Sequence, residues 1–346
     1  MRRGVRGPTV ACETYPHSIS TDTAMPTTKY AAAESAGMSL HADVRVALRS
    51  MHPLAVEFGI VTATLACVSL SVRLVPGALS SVFESPSAFD GLLVGGLVNG
   101  GLLLAVLVVF AGAYVRVRDI DVGLTLPTAS DLPAAAVAVL TPLALVGLTK
   151  LVGVATGVPY NALTKSSVAP DAPLRPILRV SGLGLLVGVP TRAVLCQVLV
   201  QGSFERVVDG DGAVALTTLL TGFLLVSDAG GLTTVPDRGK LAGAVVFAFL
   251  LGVALLVNER ADRDWVRVLA AVPAAAFVAL VVLSGIAGVG SVAAALFALA
   301  TLATLGVAAA TYHRTRSLLV PALAYASLLF ADRAVVIVFE AGMRSW

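Results

Sequence analysis

The chain has 346 residues, of which 57% are apolar and only 13% charged, with 32 glycines and a formal net charge of +3. At this length such a balance excludes a water-soluble globular domain and a disordered chain, and it predicts an integral membrane protein. The small net charge excludes a nucleic-acid partner, and three cysteines (Cys12, Cys67, Cys196) are too few for a disulfide framework.

Residues 1–50 form a polar tail, rich in Thr, Ser, Pro and Ala over the first 37 positions and without the apolar stretch of a signal peptide. The tail is expected to be disordered, and Met38 reads as an alternative start. After His52-Pro53 come apolar runs that meet the requirement of roughly 20 residues per membrane crossing. They lie at about 54–75, 91–115, 133–156, 176–203, 213–229, 239–257, 265–285, 288–311 and 317–339. The predicted fold is therefore all-α, a polytopic transmembrane helix bundle of about nine helices. The fourth run is long, roughly 42 Å as a helix, and contains Pro190. A kink or division there would make the count eight to ten.

Orientation follows from basic residues near the helix ends. With the N-terminus inside, Arg45, Arg49, Arg116, Arg118, Arg206, Arg260, Arg263, Arg314 and Arg316 fall inside, whereas residues 76–90 carry no base at all. This predicts a multi-pass protein of the cell membrane with a cytoplasmic N-terminus.

Charges at mid-membrane cost about 2.5–3.5 kcal/mol each on insertion scales, so those that remain need partners. They are Glu57, Lys150, Arg179, Arg192, Asp228, Asp332 and Arg333, accompanied by Asn99, Gln197 and Gln201. The expected pairs are Asp228 with Lys150 or Arg179, and Asp332 with a base on another helix. In the fourth run, Gln197, Gln201 and Glu205 follow one another at i, i+4 steps and share a helix face, which must look into the bundle. Helix glue by amide hydrogen bonding is one reading of that stripe. A polar cavity formed by Gln197, Gln201, Glu205, Lys150, Asp228 and Asp332 is the other. Arg192, just after Pro190, is expected to find free carbonyls at the helix break. The four histidines (His17, His41, His52, His313) lie in the tail or at the edges of apolar runs. That disfavours an intramembrane metal site, and leaves Cys196 without a partner to activate it.

The order of motifs from about residue 185 to 339 resembles the CPBP family of intramembrane metalloproteases, which includes the CAAX prenyl endopeptidases and bacteriocin-immunity proteins. The similarity is carried by Val198-Leu-Val-Gln201 for a Gly-x-x-Gln turn and by Phe223-Leu-Leu-Val-Ser227 for a Phe-x-x-x-His helix. The third element is Arg314-Thr-Arg-Ser-Leu-Leu-Val-Pro-Ala-Leu-Ala-Tyr325, for a basic turn and Ser-Leu-x-x-Pro leading into a His-x-x-x-Asn/Asp helix. Aligned through Gln201, the family's Glu-Glu pair falls on Arg192 and Ala193, its arginine on Gln197, and its remaining site positions on Ser227, Tyr325 and Leu329. Aligned through Pro190, the first three fall on Thr191, Arg192 and Cys196. Neither register supplies metal ligands or a general base.

The resemblance divides the chain into transmembrane helices at 51–160 and a CPBP-like region at 161–346, with extra helices at about 265–311. It implies a non-catalytic relative, without cofactor or metal, that binds a lipid, a prenyl or lipidated peptide segment, or another membrane protein. In that case Gln197, Ser227 and Tyr325 should converge on one cavity. Two alternatives are a transporter with a polar path near Lys150, Asp228 and Asp332, and an active CAAX-type endopeptidase with divergent residues.

Overall fold

The computed structural model describes residues 52–82, 92–166, 168 and 174–340, so the N-terminal tail lies outside the described residues. The described chain forms helices α1 (Pro53–Val82), α2 (Leu92–Arg118), α3 (Leu132–Thr156) and a short α4 (Tyr160–Thr164). Then come α5 (Leu174–Ala193, continuing through Val194–Gln201 to Phe204), α6 (Gly210–Leu225) and α7 (Arg238–Arg260). Helices α8 (Asp264–Ala287), α9 (Val292–Thr315) and α10 (Leu319–Phe339) complete the bundle. Each of the nine predicted runs is a helix, and among the described residues the only β pairing is two isolated bridges. Eight helices are long and apolar enough to cross a membrane. The protein is thus an all-α, polytopic membrane bundle.

Two runs depart from their expected form. The fourth is neither divided nor ended by Pro190: α5 continues and widens to π-helical winding at Val194–Gln201. Proline has no N–H to donate, which loosens the ladder at this point, and the wider winding keeps the following backbone bonded, as in Gly202 N to Gln197 O. The fifth run stops early. α6 has 16 residues, about 24 Å, against a hydrocarbon core of about 30 Å. It ends because Thr233 takes the Leu225 carbonyl with both its N–H and its hydroxyl, each at 2.8 Å, while Gly230 turns the chain at φ 88°.

Residues from Ser50 onward cluster as one compact unit. Helix α3 packs on α9 and α10. Helix α5 packs against α2, α6 and α10, while α1 and α8 lie on α7. Gly96 and Gly100 of α2 admit Leu183 and Val187 of α5 so closely that an added Cβ would sit 2.7 Å and 3.1 Å from them. Large aliphatic side chains cover the outside: on α8 only Ala274 is buried, and Val268, Leu269, Leu280, Leu283 and Ile286 all face outward. Such a surface suits acyl chains, not water.

Candidate functional site

The predicted polar stripe of α5 faces the bundle and is held by two different neighbours. The Gln197 amide donates to the Tyr325 hydroxyl of α10 at 3.0 Å, and both residues are fully buried. One turn on, the Gln201 amide donates to the Ala309 carbonyl of α9 at 3.1 Å and to Glu205 at 3.2 Å. Glu205 in turn lies 3.2 Å from the His313 ring and accepts from Arg316 at 2.5 Å. Beside it the Tyr312 hydroxyl accepts from Gly123 N, and Leu318 N donates to the Gly123 carbonyl. The α2–α3, α5–α6 and α9–α10 connections therefore meet at one end of the bundle.

Arg192 is buried, and its partners are not the carbonyls at the Pro190 break, as expected, but the non-helical segment after α6. Its guanidinium donates to the Leu232 carbonyl at 3.1 Å and to the Thr234 hydroxyl at 3.4 Å. The same segment receives Lys240 Nζ on the Val226 carbonyl at 2.5 Å and Ser69 on the Pro236 carbonyl at 3.4 Å. Irregular backbone at membrane depth is tolerated only when its polar groups are satisfied by protein or water, and these side chains meet that condition. The sequence offered no local signal for the Arg192 and Ser69 contacts, because those groups lie 40 or more residues apart.

Ser227 lies just past the end of α6, while Gln197 and Tyr325 bond each other. Since α6 ends at Leu225, two residues earlier, Ser227 lies in the turn, with its N–H bonded to the Gly231 carbonyl at 2.8 Å. It lines a cleft with Asp228 and Lys240. Ala193 is buried and Leu329 packs against the main core, so both serve as apolar filling.

The six polar residues expected in one cavity fall into three groups. Gln197, Gln201 and Glu205 make the α5 chain just described. Lys150 pairs with Glu340, which also accepts from Tyr160 N at 3.1 Å, while the Tyr160 hydroxyl donates to Asp332 at 2.5 Å. Asp332 thus finds a phenol where a base was expected. Burial and the neighbouring Asp332 charge push the Tyr160 phenol up, so it remains a donor at every physiological pH. Asp228 pairs at 3.4 Å with Lys240, not with Lys150 or Arg179. Its carboxylate is almost fully exposed at the cleft mouth. Glu57, the remaining buried acid of the predicted set, pairs with Arg118.

Sequence reasoning missed Glu340 and Tyr160, which sit just beyond the predicted runs. The Gly157-Val-Pro-Tyr160 turn was the available signal: Gly157 ends α3 in the left-handed region at φ 72°, and Pro159 precedes the short α4 that carries Tyr160.

At the positions matched to the CPBP motifs the side chains are Arg, Ala, Gln, Ser, Tyr and Leu, which do not fit a catalytic zinc ion. Among the described residues no three His, Cys, Asp or Glu side chains group so as to hold a metal.

Helices α3, α5 and α10 border a shallow, open apolar groove of about 790 Å³. Leu143, Leu186, Val189, Leu323 and Phe330 line it, with Pro190 in the wall, and Ser327 ties α10 to the Val139 carbonyl at 2.6 Å across its floor. No family model, curated protein or solved structure matches the chain.

Proposed function

We propose that this membrane protein is a non-catalytic relative of the CPBP intramembrane proteases that binds a hydrocarbon chain, the acyl or prenyl tail of a lipid or lipidated peptide, in the groove between α3, α5 and α10. The observation that carries the reading is the Gln197–Tyr325 hydrogen bond. It joins two motif positions across the buried centre of the bundle, where a hydrolase would need a water, a base and ligands. What remains usable on the same two helices is the groove, whose walls are almost wholly apolar and which has the size of a ligand pocket. Gly182 in its wall has open space where a Cβ would be, so the groove is not closed by side chains there.

The same reading places the chain in the cell membrane with its N-terminus in the cytoplasm. Arg116, Arg118, Arg206, Arg314 and Arg316 flank connections that meet at one end, and that end is assigned to the positive inside.

The test uses a photoactivatable, clickable farnesyl or palmitoyl probe on the purified full chain in nanodiscs, with crosslinked peptides mapped by mass spectrometry. Labelling is expected to concentrate on α5 and α10 residues of the groove and to fall about tenfold in Gly182→Phe, a change comparable to losing one well-packed anchor. Labelling spread evenly over lipid-facing helices, or unchanged in the variant, sinks the binding site. Cleavage of a prenylated peptide by the purified protein would overturn the non-catalytic part.

A further inference from the structure

A second site lies where α8 leans on α7 and leaves a gap toward α6 and α9. The gap has two chambers. One is a cleft of about 590 Å³ with polar groups at its mouth: Ser227, Asp228, Lys240 and Ser284. The other is a slot of about 220 Å³ walled by Phe58, Phe223, Phe247 and Phe277. Phe223 and Val281 line both chambers, so the two adjoin.

The polarity is ordered along the bundle axis, and three helices agree on its direction. On α6 the cleft takes Gly222 onward and the slot Leu216 to Phe223; on α7 the cleft takes Lys240 and the slot Ala244 and Phe247; on α8 the cleft takes Leu280 to Gly288 and the slot Phe277 to Val282. The polar chamber therefore sits where α6 and α8 end and α7 begins, and the aromatic slot runs from it toward the middle of those helices. This is the polarity of one lipid molecule standing in its leaflet. Gly243 of α7 is what lets the rings close in, since a Cβ there would lie 3.2 Å from Phe223.

From these adjoining chambers we infer a lipid-binding site for a glycerophospholipid whose headgroup carries both a phosphate and a primary ammonium. Charge chooses the headgroup. Lys240 uses one of its three donors on the Val226 carbonyl and faces Asp228 at 3.4 Å, which leaves a donor for a phosphate oxygen. Asp228 exposes its carboxylate at the mouth, where it accepts the ammonium. A purely anionic headgroup would satisfy Lys240 but meet Asp228 with like charge. This site is independent of the groove between α3, α5 and α10.

The test is native mass spectrometry of delipidated full-length protein titrated with phosphatidylethanolamine and, separately, phosphatidylglycerol of the same chains. One ethanolamine lipid is expected to bind about tenfold more tightly than the glycerol lipid, the equivalent of one charge-assisted hydrogen bond. Asp228→Asn should bring the two lipids to parity, and Lys240→Gln should weaken both about tenfold.

Gly285→Phe should abolish binding of either lipid without loss of thermal stability, because a Cβ at Gly285 points into open space and glycine is a poor helix residue. Farnesyl or palmitoyl labelling of the α5–α10 groove should persist in this variant. Equal affinity for the two lipids in the unaltered protein overturns the headgroup assignment. Unchanged binding in Gly285→Phe overturns the site, and so does a dimer that this substitution dissociates, because the cleft would then be an interface between two copies.

Discussion

At the residue scale, several polar groups inside this bundle are held by partners from distant parts of the chain. Gln197 and Tyr325 show what such a pair costs to break. Tyr325→Phe removes a hydroxyl and leaves a buried amide without its partner, which costs about 1–3 kcal/mol. Gln197→Leu does the reverse and takes the phenol's amide partner away. In the double variant Gln197→Leu/Tyr325→Phe neither group is stranded, so the loss should be smaller than the sum of the single losses by about 1 kcal/mol or more, read from denaturant unfolding in detergent. Additive losses would mean that the two side chains do not act as a pair. Periodicity made the α5 stripe legible, because Gln197, Gln201 and Glu205 repeat at helical spacing and an amide in a membrane helix has to face protein. The partners were not legible. Nothing local to Lys150 points to Glu340, 190 positions away, and nothing near Arg192 announces that its guanidinium serves the backbone at Leu232.

At the element scale, hydrophobic length located all nine apolar runs, while the behaviour of their ends depended on contacts that length does not encode. Pro190 reads as a break, yet α5 passes through it by widening its winding, because flanking helices hold the segment on several sides. α6 reads as a full crossing and stops at Leu225 because Thr233 takes the carbonyl that the next helical N–H would need. Connections matter as much as helices. Gly123 of the α2–α3 connection lies so close to the α9–α10 connection that a Cβ would overlap the Arg316 carbonyl, and both sides are backbone that cannot swing away. Gly123→Ala should therefore destabilise the protein by about 1–3 kcal/mol through overpacking. Gly147→Ala on α3, where the added carbon meets nothing within 4 Å, should be neutral or stabilise by about 0.5–1 kcal/mol. Thermal melts of the two variants in one detergent compare them directly, and equal melting temperatures would refute the close approach.

At the scale of the whole molecule, the geometry separates two questions that a hydropathy reading joins: which connections share a side, and which side faces the cytoplasm. The first is fixed by contact. Glu205 after α5 bonds Arg316 after α9, and Gly123 after α2 bonds Tyr312 and Leu318, so these three connections lie together whatever the orientation. The second rests on the arginines flanking them and on the positive-inside bias. Cysteines placed one at a time at Arg206, Asp262, Gly290 and Arg314, in a chain with Cys12, Cys67 and Cys196 replaced by alanine, test both questions with a membrane-impermeant thiol reagent. All four positions are exposed on connections or helix ends. In intact cells only the cysteine at Gly290 should label, and those at Arg206, Asp262 and Arg314 should label after permeabilisation. The complete reverse pattern would overturn the cytoplasmic N-terminus while leaving the bundle intact. Labelling of Arg206 and Arg314 from opposite sides would overturn the packing itself, because the Glu205–Arg316 ion pair allows them only one side.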